Sequence, residues 1–116
     1  MAINSGFTPY GNGYRLDLTT TSASVQVNLQ TGQTPQNLRV LNTGAVAVHI
    51  VWSYGASAPT AVAPTVGTTQ PGVTIGAGVE KVFCVGGSPA TGPNLYVAGV
   101  TVSGSATIYF QFGDGR

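Results

Sequence analysis

Apolar side chains that alternate with polar or small ones are the feature of this sequence that most limits its fold. The alternation is clear in residues 25–29, 46–52 and 79–85, and runs rich in β-branched and aromatic residues cover 95–102 and 106–112. A period of two is typical of half-buried strands, and no stretch shows uninterrupted helical spacing. Strands separated by Gly, Pro and Asn turns predict an all-β chain, an antiparallel β-sandwich or barrel.

A short turn sequence predicts how the last two strands are arranged. Ser103-Gly104-Ser105 separates residues 95–102 from residues 106–112. Small residues between two β-rich runs are typical of a tight hairpin turn, in which the flanking strands pair with each other. We therefore expect the last two strands to be neighbours in one sheet.

Two segments interrupt the strand pattern and divide the chain. Residues 1–22 contain the turn pair Asn12-Gly13, so they form either a first hairpin or an extended arm that orders on a neighbouring subunit. Residues 55–72 are rich in Pro, Ala, Thr and Gly. Long loops in compact domains are often functional, so this one is predicted to be a contact loop. Residues 23–116 are expected to form a single β-sandwich domain.

The scarcity of charge narrows the partners that this chain can have. Its seven charged residues, four basic and three acidic, are Arg15, Asp17, Arg39, Glu80, Lys81, Asp114 and Arg116. Nucleic-acid binding rests on clustered Lys and Arg, and this sequence has no such cluster, so we expect no nucleic-acid partner. An ordinary domain has about a quarter of its residues charged. A surface this poor in charge is suited to being covered by other protein.

The sequence predicts a protein that is made in the cytoplasm and has no membrane attachment. The first residues, Met-Ala-Ile-Asn-Ser-Gly, contain no charged region followed by an apolar run, so we expect no signal peptide. The longest apolar stretch, residues 45–52, is far shorter than the ~20 residues of a membrane helix.

Residues able to carry chemistry are few, and their spacing defines no catalytic or metal site. His49 is the only histidine and Cys84 the only cysteine, which excludes an internal disulfide and a zinc site built from several of either residue. We expect His49 to be exposed or at an interface on a sheet face, and Cys84 to be a small buried residue. The sequence therefore predicts no enzyme, no cofactor and no metal ion.

Two pairs of neighbouring residues have both a functional and a structural interpretation. Trp52 and Tyr54 could form an aromatic platform for sugar, but Trp52 continues the apolar stripe of its strand and is assigned to the core. Glu80 and Lys81 point to opposite faces of a strand. We interpret them as charges that discourage association through a sheet edge.

Several stretches from residue 38 onward carry a resemblance to a known family. They are residues 38–44 (LRVLNTG), 47–52 (AVHIVW), 73–83 (VTIGAGVEKVF), 95–104 (LYVAGVTVSG), 106–110 (ATIYF) and 113–115 (GDG). In this order they resemble the small decoration, or cement, proteins of tailed-bacteriophage capsids and related head proteins. The first 37 residues take no part in the resemblance.

The resemblance implies a β-sandwich or jelly-roll-like virion protein that binds the outer surface of an assembled capsid in many copies and stabilises the shell. Its partners would be the major capsid protein and further copies of itself, as a dimer or trimer, with no contact to nucleic acid or membrane. It would be located on the capsid exterior after synthesis in the host cytoplasm. The alternative is a receptor- or glycan-binding module of a phage tail or fibre.

The predicted protein contacts are aromatic, proline and arginine residues of the two unusual segments and their borders. They are Phe7, Tyr10, Tyr14, Arg15, Tyr54, Pro59, Pro64 and Pro71.

Overall fold

All regular structure in the described residues is β-strand. The computed structural model describes residues 8–9, 13–27, 37–55, 57–85 and 94–114. The strands are β1 (Thr8–Pro9), β2 (Tyr14–Leu18), β3 (Ala23–Val27), β4 (Asn37–Asn42), β5 (Val48–Gly55), β6 (Val73–Ile75), β7 (Glu80–Cys84), β8 (Asn94–Thr101) and β9 (Ala106–Asp114). Within these ranges no helix is long and apolar enough to cross a membrane.

Two antiparallel sheets pack face to face. The larger sheet has the order β2-β9-β4-β7. The short β1 lies on the same edge of β9 as β2, where it pairs with Gly113 and Asp114 at the end of that strand. The smaller sheet has the order β3-β8-β5-β6. This arrangement confirms the predicted all-β antiparallel β-sandwich.

Consecutive strands mostly lie in different sheets. β8 belongs to the smaller sheet and β9 to the larger one, so the turn at 103–105 carries the chain across the sandwich, with Gly104 at a φ of 65°. The predicted pairing of the last two strands is therefore wrong. A turn sequence specifies that the chain reverses, but the reversed strand can pair alongside its predecessor or pack on the opposite sheet.

The apolar positions of the two inner faces form one core. Its buried members are Leu18, Val27, Leu38, Val40, Val48, Ile50, Ile75, Leu95, Val97, Ala106, Ile108, Phe110 and Phe112. Tyr14 stacks on Phe110 with ring centroids 5.3 Å apart. Trp52 of the smaller sheet packs against Phe83 of the larger sheet, with ring centroids 5.8 Å apart. This packing confirms the assignment of Trp52 to the core.

Residues 14–18 are part of the sandwich. β2 pairs with β9 along its whole length, and Leu18 at its end is fully buried. Leu18 also contacts the opposite sheet, because a Cβ added to Gly99 of β8 would lie 2.8 Å from Leu18 Cδ1. The predicted Asn12-Gly13 hairpin turn falls partly outside the described residues. β1 and β2 both pair with β9.

Asn42 ties the larger sheet to the turn that follows β6. Its buried Nδ2 donates to the carbonyl oxygens of Val46 at 2.9 Å, Gly76 at 3.0 Å and Ile75 at 3.3 Å. Its Oδ1 accepts from the N–H of Gly44 at 2.9 Å. A single amide therefore satisfies several backbone groups at this end of the sandwich, where unpaired polar groups would be costly.

Candidate functional site

The outer face of the smaller sheet is partly covered by residues 57–72, here named the covering segment. A second apolar cluster joins this segment to the sheet, and it consists of Ala61, Ala63, Val51, Ala98 and Val100. The N–H of Ala61 also donates to Ser22 Oγ at 2.9 Å. The first half of the covering segment is therefore fixed on the sandwich.

His49 fixes the other end of the covering segment. The side chain is buried, at 2% exposure. Nε2 lies 2.7 Å from the carbonyl oxygen of Pro71, and Nδ1 lies 3.0 Å from Thr74 Oγ1. The prediction of an exposed or interface histidine is wrong, because alternation places His49 on the outer face without revealing that a later segment covers that face.

Gly72 allows the covering segment to return to the sheet. Its φ is 106°, a region that favours glycine. A Cβ at this position would overlap the carbonyl oxygen of Ile50 and lie 3.1 Å from His49 Nε2. The close approach of the segment to β5 therefore depends on the absence of a side chain.

The middle of the covering segment projects as a small ordered turn, residues 62–68, named the tip. The N–H of Thr68 donates to the carbonyl oxygen of Thr65 at 3.0 Å, and the N–H of Thr65 donates to Thr68 Oγ1 at 2.9 Å. Val66 is fully exposed at this turn, and Val62 is 46% exposed. Two valines are thus presented to solvent on a hydrogen-bonded support.

The outer face of the larger sheet, named the open face, carries a row of side chains across four strands. Arg15 of β2 is opposite Tyr109 of β9, Tyr109 is opposite Leu41 of β4, and Leu41 is opposite Glu80 of β7. Arg39 lies in the next row, opposite Gln111. Adjacent strands therefore assemble this surface from residues far apart in the sequence.

Two ion pairs organise the charges of the open face. Arg15 Nε lies 3.1 Å from Asp17 Oδ1, and Arg39 Nε lies 2.6 Å from Glu80 Oε2. Thr107 Oγ1 also donates to Asp17 Oδ1 at 2.8 Å. The hydrogen bonds from Thr107 and then Arg15 hold the pKa of Asp17 below its usual range, and the hydrogen bond to Asp17 raises the pKa of Arg15.

A groove of about 350 Å³ lies along this row of side chains. It is lined by Gly13, Tyr14, Arg15, Arg39, Leu41, Glu80, Tyr109, Phe110 and Gln111. Tyr109 is 44% exposed, so an aromatic ring remains accessible between the two ion pairs. The groove combines guanidinium donors, a carboxylate acceptor and an aromatic surface.

Of the predicted contact residues that the structure describes, only Tyr14 and Arg15 come together, in the lining of the groove. Arg15 is exposed at the groove, and Tyr14 is half-buried against Phe110. Tyr54 packs against the core, and burial raises the pKa of its hydroxyl, which has no hydrogen-bond partner among the described residues. Three predicted residues lie in the covering segment: Pro59 is half-buried, and Pro64 and Pro71 are exposed. Phe7 and Tyr10 lie outside the described residues.

Cys84 is exposed, so its predicted burial is wrong. It lies at the end of β7, opposite Asn37, and β7 is the last strand in the order of the larger sheet. A side chain on the outer face of a terminal strand has few neighbours that could cover it. Glu80 and Lys81 of the same strand are also exposed.

Sequence reasoning selected Tyr14 and Arg15 as contact residues, but it did not select the other residues that line the groove. Alternation does place Arg39 and Leu41 on one face of β4, and Tyr109 and Gln111 on one face of β9. The missing information is the pairing of β9 with both β2 and β4, which joins these faces. Strand order, rather than any local motif, creates the groove.

These features define an antiparallel β-sandwich with one outer face partly covered by its own chain and the other outer face open. No protein-family model matches the sequence, and no curated protein matches it significantly. Among the described residues, no group of three or more His, Cys, Asp or Glu side chains could hold a metal ion.

Proposed function

We propose that this chain is a structural virion protein that binds the outer surface of an assembled phage capsid in many copies and stabilises the shell. Its partners are the major capsid protein and further copies of itself, as a dimer or trimer, and it acts on the capsid exterior without catalysing a reaction. The observation that carries the proposal is the tip, where Val66 is fully exposed on an ordered turn of a charge-poor chain.

The strand order supports a jelly-roll form of the sandwich. Apart from the short β1, the two sheets have four strands each, β2-β9-β4-β7 and β3-β8-β5-β6. A jelly roll, a fold found in viral capsid and lectin domains, also has eight strands in two sheets. Because one fold serves many functions, the strand order only makes a virion role compatible with the architecture. The support for this function therefore comes from the exposed residues of the tip.

The tip is suited to attach the protein to a partner. Thr65 and Thr68 hold the turn through backbone and side-chain hydrogen bonds, so little conformational freedom is lost when Val66 is buried. Burying one valine side chain contributes about 1.5–3 kcal/mol. Such a contact is weak alone, but many copies on a symmetric lattice attach firmly when neighbouring copies are linked.

The environment of His49 supports a role without catalysis. The side chain is buried, and both of its ring nitrogens lie within hydrogen-bond distance of Pro71 or Thr74. A general base must reach the proton that it removes. The only histidine of the chain is instead used to hold the covering segment.

The test mixes the purified protein with capsids that lack it and images the particles. We expect regular added density on the shell and a reduced capsid affinity of Val66→Ser. Val102→Ser is the matched control, because Val102 is 51% exposed and lies on the turn between β8 and β9 rather than at the tip.

The outcomes separate the general proposal from the proposed contact. Absence of added density with the unaltered protein would overturn the capsid role. Equal binding by Val66→Ser and the unaltered protein, with both folded by circular dichroism, would exclude the tip as the attachment point.

A second candidate function is a receptor- or glycan-binding module of a tail or fibre. The groove on the open face is the observation that favours it. Because this groove and the tip lie on opposite sides of the sandwich, ligand binding at the groove is compatible with attachment through the tip.

A further inference from the structure

Each charged side chain in the lining of the groove has an ion-pair partner, and the partner of Arg15 lies beside the groove rather than in its lining. Arg15 is paired with Asp17, and Arg39 is paired with Glu80, so the two ion pairs together carry no net charge. Each guanidinium is already neutralised by a carboxylate and attracts an anionic ligand only weakly. Each carboxylate is likewise neutralised and attracts a cationic ligand only weakly. The groove is therefore better suited to a neutral polar ligand.

The ion pairs retain hydrogen-bonding capacity. Each carboxylate contacts the Nε of its arginine, whereas a guanidinium also has donors on its two terminal nitrogens and a carboxylate accepts several hydrogen bonds. Arg39 and Glu80 thus place donors beside acceptors on the same surface. A pair of adjacent hydroxyl groups matches this arrangement, because each hydroxyl both donates and accepts.

Tyr109 and Leu41 supply the apolar part of the groove. Tyr109 is 44% exposed and lies between Arg15 and Leu41 in the row across the sheet. An aromatic ring offers a large rigid surface on which an apolar group can pack. One face of a sugar ring is such an apolar group, because its C–H bonds point to that side. A volume of about 350 Å³ lies at the small end of the range for ligand sites.

We propose that this groove binds a neutral sugar ring, a hexopyranose unit with adjacent free hydroxyls. The ring packs on Tyr109 and Leu41, and its hydroxyls accept from Arg39 and donate to Glu80. This site differs from the Trp52 and Tyr54 platform considered from the sequence, since Trp52 packs against the core. The inference is independent of capsid binding, which uses the opposite side of the sandwich.

The experiment titrates the full-length protein with methyl glucoside, methyl mannoside and methyl galactoside, followed by NMR of backbone amides and arginine Nε–H groups. We expect saturable shifts at Arg39, Tyr109 and their neighbours with at least one of these sugars. Tyr109→Ser should weaken binding by about tenfold, the loss expected when a stacking contact is removed. Tyr109→Phe should retain binding.

Two further variants keep the test decisive. Tyr96→Ser is the matched control, because Tyr96 lies on the outer face of the smaller sheet and its replacement should leave binding unchanged. Glu80→Gln keeps the shape of the side chain and should weaken binding, so it provides the test if Tyr109→Ser fails to fold. Glucuronate is titrated in the same way as an anionic comparison. The proposal is overturned if none of the three neutral sugars shifts the groove signals, if Tyr96→Ser weakens binding as much as Tyr109→Ser, or if only glucuronate binds.

Discussion

His49 Nε2 lies 2.7 Å from the carbonyl oxygen of Pro71, and this contact joins a central strand of the smaller sheet to the end of the covering segment. Strand β5 supplies the imidazole, and Gly72 lets the backbone after Pro71 pass close to that strand. The only histidine of the chain is thereby a structural group whose two ring nitrogens contact Pro71 and Thr74, 22 and 25 residues further along the sequence.

Replacing this histidine should loosen the covering segment. His49→Leu fills a similar space but leaves the Pro71 carbonyl without its partner, so we expect a loss of about 1–3 kcal/mol in the free energy of unfolding. Hydrogen exchange should accelerate at amides of residues 61–72. Thr74→Val, which removes only the contact to Nδ1, should have the smaller effect. Unchanged exchange in His49→Leu would show that this contact does not hold the segment.

Two glycines with positive φ should respond differently to alanine. Gly67→Ala meets no atom within 4 Å, so only its φ of 81° opposes the change, at about 1–2 kcal/mol. Gly72→Ala adds an overlap with the Ile50 carbonyl and should cost more, about 3 kcal/mol or above. Urea denaturation of both variants provides the comparison. Equal losses would contradict a close approach at Gly72.

Asn42 should tolerate substitution poorly. Asn42→Asp replaces an amide that donates to three carbonyl oxygens with a buried carboxylate facing the same oxygens. We expect a loss of about 3 kcal/mol or more, measured by chemical denaturation at neutral pH. Asn37→Asp is the control at the other end of β4, where the amide makes a longer contact of 3.4 Å to the Phe83 carbonyl. A comparable loss at both positions would argue against a special role of Asn42.

Leu18 distinguishes a strand of the sandwich from an arm that docks on a neighbour. Because Leu18 is fully buried and reaches Gly99 of the opposite sheet, Leu18→Ala should lower the free energy of unfolding by about 2–5 kcal/mol. Leu16→Ala, at a half-buried position of the same strand, should cost less. Thermal and urea unfolding at a concentration where the protein is monomeric measure both. No loss in Leu18→Ala would favour the arm.

Asp17 makes a specific contribution to the pH dependence of stability. Its folded pKa is depressed by hydrogen bonds from Thr107 and Arg15. The contribution is therefore fully present above the unfolded pKa of about 3.9 and is lost as pH falls through the lower folded value. Thr107→Val removes the largest cause and should raise the pKa of Asp17 towards the ordinary value.

Carboxyl NMR titration measures this change directly. Thr43→Val is the control, because the Thr43 hydroxyl donates to the Thr107 carbonyl oxygen and not to Asp17. An Asp17 midpoint that is the same in Thr107→Val and the unaltered protein would refute the assigned cause.

The sequence predicted the strands and the core positions better than it predicted which strands pair with each other. Alternation correctly placed Val48 and Ile50 on an inner face and assigned Trp52 to the core, because a period of two separates the faces of any strand. The turn sequence at 103–105, in contrast, led to an incorrect pairing of the last two strands. Pairing depends on which sheet receives the next strand, and that choice is made by packing over the whole core.

The candidate site shows the same division. The face of each strand that carries Arg15, Arg39, Glu80 or Tyr109 follows from local alternation. Their assembly into one groove requires β9 to lie between β2 and β4, and β7 to lie beside β4. That strand order cannot be predicted from the sequence of any single strand or turn.

By itself, the sequence determined that this chain folds into antiparallel strands with an alternating core, since backbone geometry converts period-two patterning into two distinct faces. Tertiary structure alone decided what each outward-facing residue does. It buried His49 beneath residues from the covering segment, left Cys84 exposed on a terminal strand, and brought two ion pairs to the sides of Tyr109. The physical reason is that burial and pairing depend on neighbours across the sheet or above it, and these neighbours are distant in the chain.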